Sequence, residues 1–137
     1  MVDKPYKGGC QCGALRFVAT GEPVFTGLCY CEDCRRSTGS IGSPFMAFRA
    51  SELKLTGATA QAYCTSLRGT KTTRNFCPTC HSLVFGGEDG IDEILNIYAG
   101  TLDEPSRFVP KIAIMTQGKP DWALIPEGLR VFERMPG

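Results

Sequence analysis

Apolar and polar positions alternate in short stretches along this chain, and glycine or proline separates one stretch from the next. Residues 14–19 (ALRFVA) alternate and stop at Gly21-Glu22-Pro23, which predicts a half-buried strand followed by a turn. Short runs at 24–30, 45–48 and 52–55 read the same way, the last ending at Gly57. Residues 60–65 and 70–76 flank Ser66-Leu67-Arg68-Gly69 and predict a hairpin. Further strands are expected at 83–85, before Gly86-Gly87, at 93–98 and at 111–115. Helical spacing is scarce. Residues 32–38 suit one or two turns, with Gly39 placed for a left-handed C-terminal cap, and 102–104 suit a single turn.

No βαβ alternation, internal repeat or low-complexity linker is visible. The expected fold is therefore mainly β: one small, mostly antiparallel domain over residues 1–137 with one or two short helical turns. Hydrophobic residues make up 42% and charged residues 21% of the chain, which suits a packed core and argues against disorder. No run approaches about 18 consecutive apolar residues, so no membrane span is expected. Residues 1–9 start at Met1 and are polar, so no secretory leader is expected, and a reducing cytoplasm is.

The outliers are eight cysteines and a single histidine, His81. In a reducing compartment, clustered cysteines point to metal rather than to disulfides. They fall as Cys10-x-Cys12, Cys29-x-Cys31-x-x-Cys34 and Cys77-Pro78-Thr79-Cys80, with Cys64 alone. In C-x-x-C a tight turn places two thiolates on one tetrahedral edge, and Pro78 stiffens that turn. In C-x-C on an extended segment, residues i and i+2 face the same way. Thiolate-only ligation selects zinc or an iron–sulfur cluster. The seven clustered sulfurs divide as four plus three. Cys10, Cys12, Cys77 and Cys80 can close one site between distant segments, and Cys29, Cys31 and Cys34 leave a fourth position open. A triad closed by one distant cysteine fits the same spacings.

Three thiolates on a zinc ion leave one net negative charge and a blunted Lewis acid, which suits an incoming soft thiol better than hydrolysis. The zinc-deaminase pattern is absent: Glu32 directly follows Cys31, and Pro78 lies inside its cysteine pair. The net charge of +1 is unevenly spread, with −1 over residues 1–34, +6 over 35–80 and −4 over 81–137. The basic middle suits either an anionic small molecule or solvated faces. Nucleic acid is not an expected partner, because no long basic stripe interleaves with aromatics.

The order C-x-C, C-x-C-x-x-C, C-x-x-C resembles the glutathione-dependent formaldehyde-activating enzyme family, which includes centromere-protein-V-like proteins. The matching stretches are Gly9-Cys10-Gln11-Cys12-Gly13-Ala14, then residues 29–39 (CYCEDCRRSTG), then Phe76-Cys77-Pro78-Thr79-Cys80 and a late Pro120-Asp121-Trp122. The resemblance implies a zinc-bound β-tent of stacked antiparallel sheets. It implies two zinc ions, a structural one on Cys10, Cys12, Cys77 and Cys80 and a catalytic one on Cys29, Cys31 and Cys34. It implies a carbon–sulfur lyase acting on a glutathione–aldehyde adduct, the namesake reaction being S-hydroxymethylglutathione formation from formaldehyde and glutathione. Glutathione is then the co-substrate, and Arg35, Arg36, Arg68, Lys71 and Arg74 are candidates for its carboxylates. The alternative is a zinc-stabilised binding module or glutathione carrier without catalysis.

Two positions depart from the family pattern. His81 stands where many members have glycine, and Ala113-Ile114 stand where many have His-Ile. A proton-transferring histidine at that second place is missing here, and His81 is either its substitute or a structural residue. Cys64 is expected as a small buried residue, and Trp122 as a core or sheet-covering aromatic. Asp33 is expected to cap the short helix and Glu32 to be solvated.

Overall fold

A computed structural model describes residues 2–136; Met1 and Gly137, the end points of the expected unit, lie outside the described residues. The described residues form eleven strands and one α-helix. The strands are β1 (Tyr6–Gly9), β2 (Arg16–Ala19), β3 (Phe25–Cys29), β4 (Ser43–Arg49), β5 (Leu53–Thr56) and β6 (Ala60–Thr65), followed by β7 (Lys71–Phe76), β8 (Leu83–Gly86), β9 (Ile94–Tyr98), β10 (Ile112–Ile114) and β11 (Arg130–Val131). The helix, α1, spans Glu32–Thr38. A three-stranded sheet runs β1-β2-β5, and an eight-stranded sheet runs β11-β10-β3-β4-β9-β8-β7-β6.

Strand alternation explains the layering, and the mainly β, stacked-sheet expectation holds. Phe17 and Ala19 of β2 turn one way, as do Met46 and Phe48 of β4, Phe85 of β8, and Leu95 and Ile97 of β9. All are buried and share one core cluster that joins the two sheets. Each large apolar side chain buried there contributes roughly 1.5–3 kcal/mol relative to exposure. The opposite face of the long sheet follows from the register. Cross-strand pairing puts Cys29, Phe25, Phe45, Asn96, Tyr98, Gly86 and Arg74 on that second face.

The hairpin β6–β7 and the helix α1 form where the pattern places them, and Gly39 takes the left-handed cap with φ 74°. Two strands carry no such signal. β1 reads Tyr-Lys-Gly-Gly, yet all four residues pair with β2. Gly8 is required there, because a Cβ would lie 2.2 Å from the Thr101 carbonyl oxygen and 2.6 Å from the Phe17 ring. β11 has only two residues, and it pairs parallel with β10, which itself pairs parallel with β3. One edge of the antiparallel sheet is therefore parallel.

Three expectations are corrected. The turn expected at 102–104 is displaced to 3-10 turns at Ala99–Thr101 and Pro105–Arg107, because Leu102 is buried and bridges to Gly8. Cys64 is exposed rather than buried, since β6 is the last strand of the long sheet. Trp122 is 73% exposed: the Ala123 N–H donates to the Pro120 carbonyl at 3.1 Å, and this turn directs Ala123 inward instead. No helix among the described residues is long and apolar enough to cross a membrane.

Candidate functional site

Two turns of the same design build the first sulfur cluster. After β1, the Cys10 N–H donates to the Leu15 carbonyl at 2.9 Å, and the Gly13 N–H donates to the Cys10 carbonyl at 3.2 Å. After β7, the Cys77 N–H donates to the Ser82 carbonyl at 3.1 Å, and the His81 N–H donates to the Cys77 carbonyl at 2.8 Å. Each turn aims a backbone N–H at a sulfur, Leu15 at Cys10 Sγ (3.2 Å) and Thr79 at Cys77 Sγ (3.4 Å). The Leu15 donor favours the Cys10 thiolate and holds its thiol below the usual range. The Ser82 hydroxyl beside Cys80 brings its thiol down to about 5.

The sulfurs of Cys10, Cys12, Cys77 and Cys80 lie within 4.8 Å of one another. Cys12 Sγ is 3.7 Å from both Cys10 Sγ and Cys77 Sγ. A tetrahedral zinc with bonds of about 2.3 Å has sulfur–sulfur edges of about 3.8 Å, whereas a disulfide needs about 2.05 Å. All eight cysteines are free. The donor set thus fits a closed four-thiolate ion that pins the end of β1 to the end of β7.

His81 belongs to this turn. Its φ is 64°, the left-handed region, and its ring stands edge-on to Phe76 at 6.2 Å. A glycine meets this backbone demand without strain. His81→Gly is expected to stabilise the fold by roughly 1 kcal/mol, read as a raised denaturant midpoint with unchanged slope.

The second cluster is built by the β3–α1 junction. Cys29 ends β3, and Cys31 is the N-cap of α1, its sulfur accepting from the Cys34 N–H at 3.2 Å. The three sulfurs of Cys29, Cys31 and Cys34 lie within 4.8 Å, and no other His, Cys, Asp or Glu of the described residues completes the group. Cys29 donates to Cys31 at 3.4 Å. That contact holds the Cys31 thiol down to about 2 and pushes Cys29 far up. Three thiolates crowded this closely repel one another unless a cation joins them, so this donor set also fits zinc, with one corner left open.

The triad opens into a pocket of about 820 Å³ on the second face of the long sheet. Arg35, Arg68, Lys71 and Arg74 line it. Arg36 does not, and its Nε instead pairs with Glu32 at 2.9 Å along the helix. Lys71 pairs with Glu88 at 3.3 Å. Asp33 is not the helix cap, a role the Cys31 sulfur takes. Its carboxylate instead accepts the Leu67 N–H at 3.2 Å and ties α1 to the hairpin tip. Ala113 is fully buried beside Tyr30 and Ala123, whereas Ile114 reaches the pocket.

Sequence reading passed over Tyr98 and the Phe25–Phe45 pair, whose rings meet edge-on at 6.0 Å in the pocket wall. The signal for Tyr98 lay in β9, where Asn96 and Tyr98 are the polar alternates of an otherwise buried strand. Burial raises the Tyr98 hydroxyl above the usual phenol range. Across β8 from it, the Arg74 guanidinium neighbours both Tyr98 and Cys34, and its Nε is buried without a hydrogen-bond partner.

Comparison with known proteins agrees with this arrangement. Residues 5–118 match the family described as "Glutathione-dependent formaldehyde-activating enzyme". A Halomonas elongata protein named "Putative glutathione-dependent formaldehyde-activating enzyme" is 30% identical over 125 residues, which cover 87% of this chain and 80% of that protein. A crystal structure of a Rhodobacter sphaeroides protein shares the fold with a TM-score of 0.51 and 24% identity, over 71% of this chain and 87% of that one. Because the family match runs from just before β1 to the turn after β10, and so takes in both sulfur clusters, the chain belongs to the glutathione-dependent formaldehyde-activating enzyme family.

Proposed function

We propose that this chain is a zinc-dependent carbon–sulfur lyase of the reducing cytoplasm that joins glutathione to formaldehyde and, in reverse, releases it from S-hydroxymethylglutathione. One observation carries the reading: three convergent sulfurs, with no fourth His, Cys, Asp or Glu ligand among the described residues, face a large pocket lined by cations. Cys10, Cys12, Cys77 and Cys80 would hold a structural zinc, and Cys29, Cys31 and Cys34 a catalytic one. When bound at the triad, zinc supplies a soft Lewis-acid position that takes a thiol as its thiolate.

The remaining roles belong to the chain itself. Arg35 and Arg68 make no ion pair among the described residues, so they are available to the two carboxylates of glutathione. Asp33 holds the hairpin tip that carries Arg68. Phe25 and Phe45 keep water from one side of the pocket.

The test is exchange NMR on formaldehyde and glutathione with and without protein, alongside metal analysis. The expected result is accelerated exchange and about two zinc ions per chain; exchange at the background rate leaves a glutathione carrier or zinc-stabilised binding module in its place. Arg68→Glu is expected to raise the KM for glutathione roughly tenfold while kcat holds, because a rim charge acts on substrate capture and not on the bond that forms.

A further inference from the structure

We propose that Arg74 and Tyr98 form an oxyanion-binding pair that receives the aldehyde oxygen as the carbon–sulfur bond forms. The inference rests on the lyase reading above and assigns two residues to its reacting oxygen. Both side chains rise from the same face of the long sheet, on β7 and β9, with β8 between them. The residue between them is Gly86, paired with Arg74 on one side and with Asn96 on the other. A Cβ at Gly86 would lie 3.3 Å from the Tyr98 hydroxyl oxygen, so that hydroxyl leans over β8 toward Arg74.

Arg74 has donor capacity to spare. Its Nη1 donates to Thr72 Oγ1 at 3.3 Å, its Nε is buried and unpartnered, and it forms no ion pair among the described residues. A buried donor left unpaired costs about 1–3 kcal/mol, and in a native site such a group calls for a partner, whether a water, an ion or a reacting group. Its guanidinium also stands beside Cys34. The oxygen of a hydroxymethyl group is two bonds from the substrate sulfur, whereas both glutathione carboxylates are many bonds away. A cation next to the triad therefore meets the reacting oxygen, and the rim cations Arg35 and Arg68 meet the carboxylates.

The step balances without a further reagent. The glutathione thiol gives its proton to solvent, and a sulfur lone pair forms the carbon–sulfur bond. The carbonyl π pair moves onto oxygen, where the Arg74 N–H and the Tyr98 O–H donate to it. The oxyanion then takes a proton from water, restoring the one the thiol released. Two preorganised donors aimed at a developing charge are a strong catalytic device. They need no histidine, and none lines the pocket.

The experiment compares wild type, Tyr98→Phe and Arg74→Gln by exchange NMR over a range of glutathione concentrations, with zinc per chain measured on each. Tyr98→Phe keeps the ring and its packing, so it stands even where Arg74→Gln folds poorly. Each variant is expected to lose about a hundredfold in kcat, with the glutathione KM within about twofold and zinc content unchanged. Wild-type kcat in Tyr98→Phe overturns the pair while leaving the lyase reading intact. A loss confined to KM overturns it too, because it assigns the pair to a carboxylate. Wild-type protein that gives only the background rate overturns both readings together.

Discussion

Cys77→Ser is expected to lower the thermal midpoint by about 10 °C or more and to remove one of two zinc ions per chain, read by calorimetry and metal analysis. Cys77 is 0% exposed and sits in the main core cluster. Its sulfur lies 3.7 Å from that of Cys12, 65 residues earlier, so the cluster closes a long loop between the two sheets. Where ligands gather only in the folded chain, the binding energy of a structural zinc is folding energy. A serine there loses the thiolate and buries a hydroxyl, itself a cost of about 1–3 kcal/mol. Together about 3 kcal/mol or more is at stake, which for a chain of this size is about 10 °C. Cys64→Ser is the control. That thiol is exposed on an edge strand, and its loss is expected to stay within about 0.5 kcal/mol. Matching midpoints for the two variants would contradict a metal-dependent core.

What the sequence discloses and what it hides follow from the range of each interaction. The strands β2, β4 and β9 are legible because one side of each is buried, and alternation records that directly. Helix α1 is legible from Gly39, whose left-handed cap is a local requirement. The cysteine spacings are local as well, so the clusters can be read off the chain. Which clusters meet is not local, and two partitions fit until the turns after β1 and β7 bring their four sulfurs together. β1 stays hidden because its glycine serves close approach to Thr101 and Phe17 rather than a turn. Trp122 and Cys64 mislead because residue type reports average burial, while a tight turn and an edge position decide the actual case. Arg74 and Tyr98 become neighbours only through the register of β7, β8 and β9, which no single stretch of sequence carries.

Cys31→Ser is expected to return formaldehyde–glutathione exchange to its background rate and to remove one zinc ion, with a midpoint within about 3 °C of wild type. The substitution separates the two clusters because of what Cys31 does locally. Its sulfur caps α1 by accepting the Cys34 N–H at 3.2 Å. Serine is among the preferred N-cap residues, so the helix keeps its cap while the triad loses a thiolate. The triad's loop is short, from Cys29 to Cys34, and its open side faces the pocket rather than the core between the sheets. Little folding energy therefore depends on it. Two thiolates would hold a zinc ion too weakly to keep the fourth corner available, and without that corner the thiol would gain no activation. Thermal damage as large as that of Cys77→Ser would show that both clusters serve the fold. Full exchange activity in Cys31→Ser would move the chemistry away from the triad, since no other cysteine among the described residues lines this pocket.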